Sequence, residues 1–410
     1  MPEVLTIIYL VYIFIAIYFL FLFLLIFVPN MNRIFYYPKP NKKYSVDIVI
    51  PCYNEEKSIR GTIESILNSD YSGLKKVIVV DDCSTDNSYE IIKELAKKYS
   101  RVLAVKMSKN FGMASGPKNY GAKFSKSELI GFADADSYPK KRALSKMMGF
   151  FNDQNVGAVT SMVLVKNRNN IIEKLQAIEY KIIAFTRKLL GFVDAIYVTP
   201  GPLAVYRRSL FDEMKGFDEK NLTEDIEITW HVVSKGYKVE MSASSRVYTV
   251  APEKLRLWFK QRIRWNVGGM QTISKYKKEF LRSGMLGLFI LPFFVLSWVL
   301  GIFGLITLIY RVSRNFLVQY LTASYSIQAQ TAILTLRDIN LSTNILVFFG
   351  FAILLLSLSF TAIALTYSKE KGFKKHGFIN ILVYMFAYLL AYPFLIVISL
   401  YKFFRGKHTW

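Results

Sequence analysis

Apolar and polar positions are arranged in two different ways along this chain. Val4 to Val28 contains no charged residue, and long apolar runs return only after Met285. Between them, over roughly 45–283, short apolar runs alternate with amphipathic stretches, as in a soluble α/β domain. A membrane-spanning helix needs about 20 apolar residues, so Val4–Val28 reads as one span. Met285–Tyr310, Asn344–Tyr367 and Phe378–Tyr401 read as others. Phe316–Leu336 is moderately apolar but interrupted by Gln319, Gln328 and Gln330, and either crosses or lies at the interface. The first run reads as an uncleaved anchor rather than a signal peptide: Glu3 is acidic, no basic segment precedes it and no small-residue cleavage site follows. The expected division is an N-terminal transmembrane helix over 1–30, a globular domain over 40–250, amphipathic interface helices over 251–284 and a membrane region of three or four helices over 285–410.

Within the globular part, Val46–Ile50, Val77–Val80, Val102–Val105 and Leu129–Phe132 are short apolar runs expected to form buried strands. Lys57–Asn68 and Asn87–Lys98 carry helical spacing, and Tyr120–Phe124 a helical stretch. Strand and helix alternate, which predicts a parallel sheet covered by helices on both faces. Ligands of such sheets bind beyond the carboxyl ends of the strands. The polar residues gather at those ends: Asn54-Glu55-Glu56, Asp81-Asp82, Asn110 and Asp134-Ala135-Asp136.

Charge changes the picture less than its size implies. The net charge is +23 over 410 residues, yet nothing resembles a groove-reading helix or a zinc finger, so nucleic acid is not expected as a partner. Arg33, Lys39, Lys42 and Lys43 follow the first span, and Arg256 to Arg282 crowd the approach to the second. Such clusters mark cytoplasmic flanks and bind anionic headgroups, which puts the globular domain in the cytosol. Cys52 and Cys83 have no metal-ligand spacing and read as reduced core thiols.

The candidate chemistry is acidic. Asp134 and Asp136 end a buried strand, where the turning chain lets both carboxylates reach one cation, Mg²⁺ or Mn²⁺, of the kind that neutralises a nucleotide diphosphate leaving group. Asp82 at its strand tip is placed to accept hydrogen bonds from a base or ribose, and Asn54 and Glu55 can do likewise. Lys118, in a stretch rich in small residues, is a candidate phosphate partner. Thr223-Glu224-Asp225 precedes an amphipathic helix. It reads equally as a cap with dipole-complementing acids and as the site of a base, Asp225, for an acceptor hydroxyl. Gln261-Arg262-Ile263-Arg264-Trp265 lies on a basic amphipathic helix suited to an interface, where Arg264 can also neutralise a diphosphate and Trp265 stack on a sugar.

Val46–Glu56, Val77–Asp86, Asp134–Asp136, Thr223–Asp225 and Gln261–Trp265 follow the order and approximate spacing of the family 2, GT-A-fold glycosyltransferases. The chain resembles most the membrane-integrated processive synthases of cellulose, chitin, hyaluronan and poly-N-acetylglucosamine. Gln176–Tyr180, Gly201–Arg208 and Gly268–Gln271 resemble segments of that group too. The resemblance implies a Rossmann-like GT-A domain beside an α-helical transmembrane region. It implies a UDP-sugar donor held by Pro51, Tyr53, Asn54, Glu55, Asp82, Lys118 and Asp134, and a divalent cation at Asp134 and Asp136. Asp225, with Glu224, would be catalytic, with inversion to a β-linkage, and Gln261, Arg264 and Trp265 would line the acceptor and diphosphate site. The implied acceptor is a growing glycan or, alternatively, a lipid that receives one sugar, such as a ceramide-like or polyprenyl-phosphate acceptor. A homo-oligomer or accessory secretion subunits belong to the same expectation. Met113 departs from the pattern, standing where a lysine often follows the loop glycine.

Overall fold

The computed structural model describes residues 2–282, 284–329, 345–367 and 377–406. After helix α1 (Pro2–Asn30), the chain builds strand β1 (Val46–Cys52), α2 (Ile59–Leu67), β2 (Leu74–Asp81), α3 (Ser88–Lys98), β3 (Val102–Lys106), α4 (Ser115–Ala122) and β4 (Leu129–Phe132). The expected alternation is present, with the helical stretch near Tyr120 starting earlier, at Ser115. Beyond Phe132 come β5 (Tyr138–Pro139), α5 (Ser145–Met148), β6 (Val156–Val165), α6 (Ile171–Gly191), β7 (Ala204–Arg207), α7 (Arg208–Glu213), α8 (Glu224–Ser234) and β8 (Lys238–Thr249).

The sheet runs β3-β2-β1-β4-β7-β6-β8-β5 among the described residues. β3, β2, β1 and β4 form the expected parallel block, and β6 and β8 also pair in parallel. β7 enters antiparallel between β4 and β6, and β5 pairs antiparallel with β8, so the sheet is mixed. Of the strands the sequence reading did not place, β6 is buried along its entire length and β7 is only four residues long. Such strands show no alternation.

Burial follows the pleat. Val46, Ile48 and Ile50 of β1 pack with Ile63 of α2 and Ile92 of α3. Val49 points the other way, into a cluster with Ala122 of α4 and Ile228 and Val232 of α8. Both faces are therefore covered, as parallel strands require. Gly121 lets α4 lie directly on the sheet, because a Cβ there would stand 2.5 Å from Val49 Cγ1.

Helix α9 (Leu255–Tyr276) leads through a π-helical turn (Leu286–Ile290) into α10 (Leu291–Gln328). Helix α11 (Ile345–Tyr367) follows, then α12 (Phe378–Val383) and α13 (Ala391–Phe404) with a π-helical turn between them. Three apolar helical stretches are long enough to cross a bilayer among the described residues: Leu10–Arg33, Leu286–Gln328 and Phe378–Phe404. Phe316–Gln328 continues α10 without a break; residues 330–336 lie outside the described residues. At 43 residues and about 1.5 Å per residue, Leu286–Gln328 is about 65 Å long, roughly twice the hydrocarbon thickness.

The globular domain is fastened to these helices by packing. The Phe185 ring of α6 lies tilted, 5.6 Å from those of both Phe27 of α1 and Phe360 of α11. Trp258 of α9 lies 4.9 Å from the Tyr388 ring.

Candidate active site

The strand ends of β1, β2 and β4 open into one cavity of about 560 Å³, closed on the opposite side by α6, α8 and α9. Its size is that of a small-molecule or cofactor site. After β4 the chain turns at once: Ser137 N–H donates to the Asp134 carbonyl (3.1 Å), and Thr62 Oγ1 donates to the Ala135 carbonyl (2.7 Å). This turn brings Asp134 and Asp136 to the same cavity. Gly201 presses against it, with space only for a hydrogen, since a Cβ would stand 2.4 Å from Asp134 Oδ2.

Of the residues singled out by sequence, Pro51, Tyr53, Glu55, Asp82, Asp134, Asp136, Glu224, Asp225, Gln261, Arg264 and Trp265 line this cavity. Asn54 and Lys118 do not. Asn54 is in the left-handed region (φ 54°), and its Oδ1 accepts from Thr85 N–H at 2.8 Å, tying the β1 loop to the β2 loop. Lys118 is buried behind the wall, paired with Glu224 (2.8 Å) and Asp134 (3.4 Å). A solvent-facing phosphate partner would need a free head; this one already has two carboxylates. Cys83, expected in the core, sits half-buried beyond β2 with φ 61° and donates to the Met107 carbonyl.

Charge is unevenly compensated. Burial pushes the Asp136 carboxyl up to about 7, with Asp134 and Glu55 adding to the shift. Glu55 is raised by burial and by Asp134. Asp82 is raised by burial, although Phe111 N–H donates to its Oδ1 at 2.8 Å. On the far wall, Lys118 holds Glu224 below the usual carboxylate range despite its burial. Asp225, one residue on, has no such partner: burial and the neighbouring Glu224 raise it to about 7. The environment therefore separates the two acids.

The capping reading of Thr223 is not realised by its side chain, whose Oγ1 donates to Asn221 Oδ1 instead. Glu224 and Asp225 occupy the first turn of α8 itself, and Asp225 Oδ1 accepts from Ile226 N–H (2.9 Å). Within Gln261–Trp265, Arg262 points away from the cavity and pairs, fully buried, with Glu179 of α6, which also accepts from Tyr388 and Tyr392 of the membrane hairpin. Its guanidinium lies 4.1 Å from the Trp265 ring centroid. Gln261, Arg264 and Trp265 are thereby left facing the cavity. Tyr180, Arg187, Tyr197 and Thr249 also line it, and Thr249 Oγ1 donates to Asp136 (3.3 Å). Sequence reasoning did not assign these four to the site: Tyr180 ends a segment that carried the family resemblance, and no local motif marks Arg187, Tyr197 or Thr249.

The arrangement defines a sugar-nucleotide transferase: a GT-A, Rossmann-like sheet with strand-end acids facing a carboxylate on a helix N-terminus. Residues 47–215 match the family model described as glycosyl transferase family 2. The chain carries a family 2 glycosyltransferase domain and is a glycosyltransferase. It is 27% identical over 287 residues to a poly-β-1,6-N-acetyl-D-glucosamine synthase of Staphylococcus epidermidis, covering 69% of each chain. It is 28% identical over 366 residues to the probable glycosyltransferase YdaM of Bacillus subtilis, covering 87% of this chain and 82% of that one. The mannosyltransferase PcManGT from Pyrobaculum calidifontis, solved with GDP-Man and Mn²⁺, shares the fold over 97% of this chain and 99% of its own, with a TM-score of 0.57 at 16% identity. The protein is a membrane-associated glycosyltransferase that draws on a nucleotide-sugar donor.

Proposed function

We propose that the protein is an inverting transferase that uses a UDP-sugar at the cytosolic membrane face to extend a β-linked polysaccharide. The observation that carries this reading is Asp225, which shares one cavity with Asp134 and Asp136 and has its carboxyl raised to about 7. A base works best with a pKa near the working pH. The Asp225 carboxylate takes the proton from an acceptor hydroxyl as that oxygen attacks the anomeric carbon. The bond from that carbon to the diphosphate breaks, UDP leaves, and a single displacement inverts the centre. Glu224, kept ionised by Lys118, maintains the negative field that keeps Asp225 basic.

Asp134 and Asp136 suit a divalent cation. With Glu55 they form an acidic group whose mutual repulsion is partly unrelieved. Among the described residues no group of three or more His, Cys, Asp or Glu side chains converges closely enough to hold an ion by itself, so Asp134 and Asp136 would hold it together with the donor. When bound, the cation would neutralise charge developing on the leaving diphosphate. Pro51, Tyr53, Glu55 and Asp82 border the nucleotide end, while Gln261, Arg264 and Trp265 border the diphosphate and acceptor. In this reading residues 40–250 work in the cytosol, 251–284 at the interface, and 1–30 with 285–410 in the bilayer.

A base is needed for a hydroxyl acceptor and not for one already ionised, which favours a glycan hydroxyl. The staphylococcal relatives are named for a β-linked polymer. Transfer of one sugar to a lipid hydroxyl is the second reading, favoured by the contact of the α6 wall with membrane helices. A UDP-sugar screen on purified protein with product sizing decides: a ladder supports the polymer, a single glycolipid retires it, and no turnover with any donor retires both.

A further inference from the structure

Asp225 lines the cavity from the first turn of α8, and its carboxylate accepts from Ile226 N–H of the same helix at 2.9 Å. Its direction is therefore set by where that turn stands. Thr223 makes no side-chain cap; its carbonyl accepts from Ile226 N–H and Glu227 N–H, each at 3.1 Å. The placement of Asp225 thus depends on what holds the segment Asn221–Thr223.

Helix α9 holds it. Gln271 Oε1 accepts from Leu222 N–H at 2.9 Å. Thr272 Oγ1 accepts from Asn221 Nδ2 at 2.9 Å and donates to the Gly268 carbonyl at 3.0 Å. Asn221 Oδ1 in turn accepts from Thr223 N–H (2.9 Å) and from Thr223 Oγ1 (3.2 Å). Gly268 stands against Thr223, where a Cβ would come 2.2 Å from Oγ1. Asn221, Thr223 and Thr272 are buried, so water does not replace a partner lost here.

Gly268, Gln271 and Thr272 continue the line of Gln261, Arg264 and Trp265 at steps of three and four, along one side of α9. The first part of that line faces the cavity. The second part grips the segment that carries the base.

We infer that Gln271 is a positioning residue for the transfer. Together with Asn221 it fixes the start of α8 to α9, so that the Asp225 carboxylate and the Arg264 and Trp265 side chains stand as one unit. The inference rests on Asp225 being the base, and adds the group that directs it.

The test compares Gln271→Met, which fills the same space without an acceptor, with Gln271→Glu, which keeps an acceptor oxygen at the same reach. Each full chain is held in phosphatidylcholine nanodiscs. Its kcat is read as radiolabelled incorporation from the UDP-sugar that wild type turns over, and its UDP affinity by calorimetry. Gln271→Met is expected to lose about tenfold to 10²-fold in kcat, with UDP affinity within about twofold. Gln271→Glu is expected to stay within about threefold of wild type, because the Leu222 N–H keeps its partner. In an Asp225→Asn chain, adding Gln271→Met is expected to lower the residual rate by less than about twofold, since both changes act through one group. Full kcat in Gln271→Met would overturn the inference, as would equal losses in Gln271→Met and Gln271→Glu. A further loss of about tenfold in the Asp225→Asn chain would overturn it too, because Gln271 would then act elsewhere. If Gln271→Met does not fold, Gly268→Ala presses on the same segment from its other contact; the same loss is expected, and full kcat overturns the inference. Full kcat in Asp225→Asn alone would instead remove the base itself, a separate failure.

Discussion

The two walls of the cavity are electrical opposites. The sheet wall presents Glu55, Asp82, Asp134 and Asp136 with no basic side chain among its lining residues. The helical wall presents Arg187 and Arg264 around the Glu224–Asp225 pair. On the first wall burial, with neighbouring carboxylates adding to it, raises Asp136 and Glu55. On the second, one lysine beneath the surface lowers Glu224, while burial and Glu224 raise the adjacent Asp225 to about 7. The sheet wall thus has Lys118 beneath Asp134 as its one basic contact, whereas the helical wall sets Arg187 and Arg264 beside its acids. An acidic site can be completed by its substrate and metal; a base has to be tuned by the protein.

The contrast can be broken at several points. Stripping divalent ions with a chelator removes what the sheet wall lacks, so turnover is expected to fall about 10³-fold or more and to return with Mn²⁺ or Mg²⁺. Persistence of activity, measured as radiolabelled sugar incorporation, would mean that this wall needs no cation. On the other side, Asp225→Asn is expected to lower kcat by about 10² to 10⁴ while UDP affinity, read by calorimetry, stays within about twofold. A variant with full activity would remove the base from this wall altogether.

The helical wall also depends on a buried anchor. Glu179→Ala leaves Arg262 without its carboxylate, with an expected loss of about 3–5 kcal/mol in unfolding experiments. An unchanged melting temperature would show that Arg262 finds another partner. The smallest effect is on pH. Asp225 must be ionised to accept a proton, so protonation below about 7 should cost about tenfold in kcat/KM per pH unit, with a plateau above. Asp225→Asn should abolish that limb; if the limb survives, it belongs to Asp136 or to the substrate.

How much of this was legible in the chain differs between the walls for a physical reason. Each acid of the sheet wall follows a short apolar strand, so strand-end position alone placed Glu55, Asp82, Asp134 and Asp136 at one edge. Asn54 was misassigned because nothing local reveals that its side chain is used by the Thr85 loop. Lys118 was misassigned for a similar reason: its partners lie 16 and 106 positions away. Arg187 is one basic residue inside a largely buried helix, and its place in the cavity wall is a property of the packed state.

By itself the sequence determined the membrane and globular blocks, the parallel half of the sheet and the acidic strand ends, because these depend on periodicity and near neighbours. Only tertiary structure decided the mixed half of the sheet, the continuity of α10 through Phe316–Gln328 and the unequal protonation of Glu224 and Asp225. Those depend on distant groups brought within a few ångströms, where burial and Coulomb interaction outweigh local propensity.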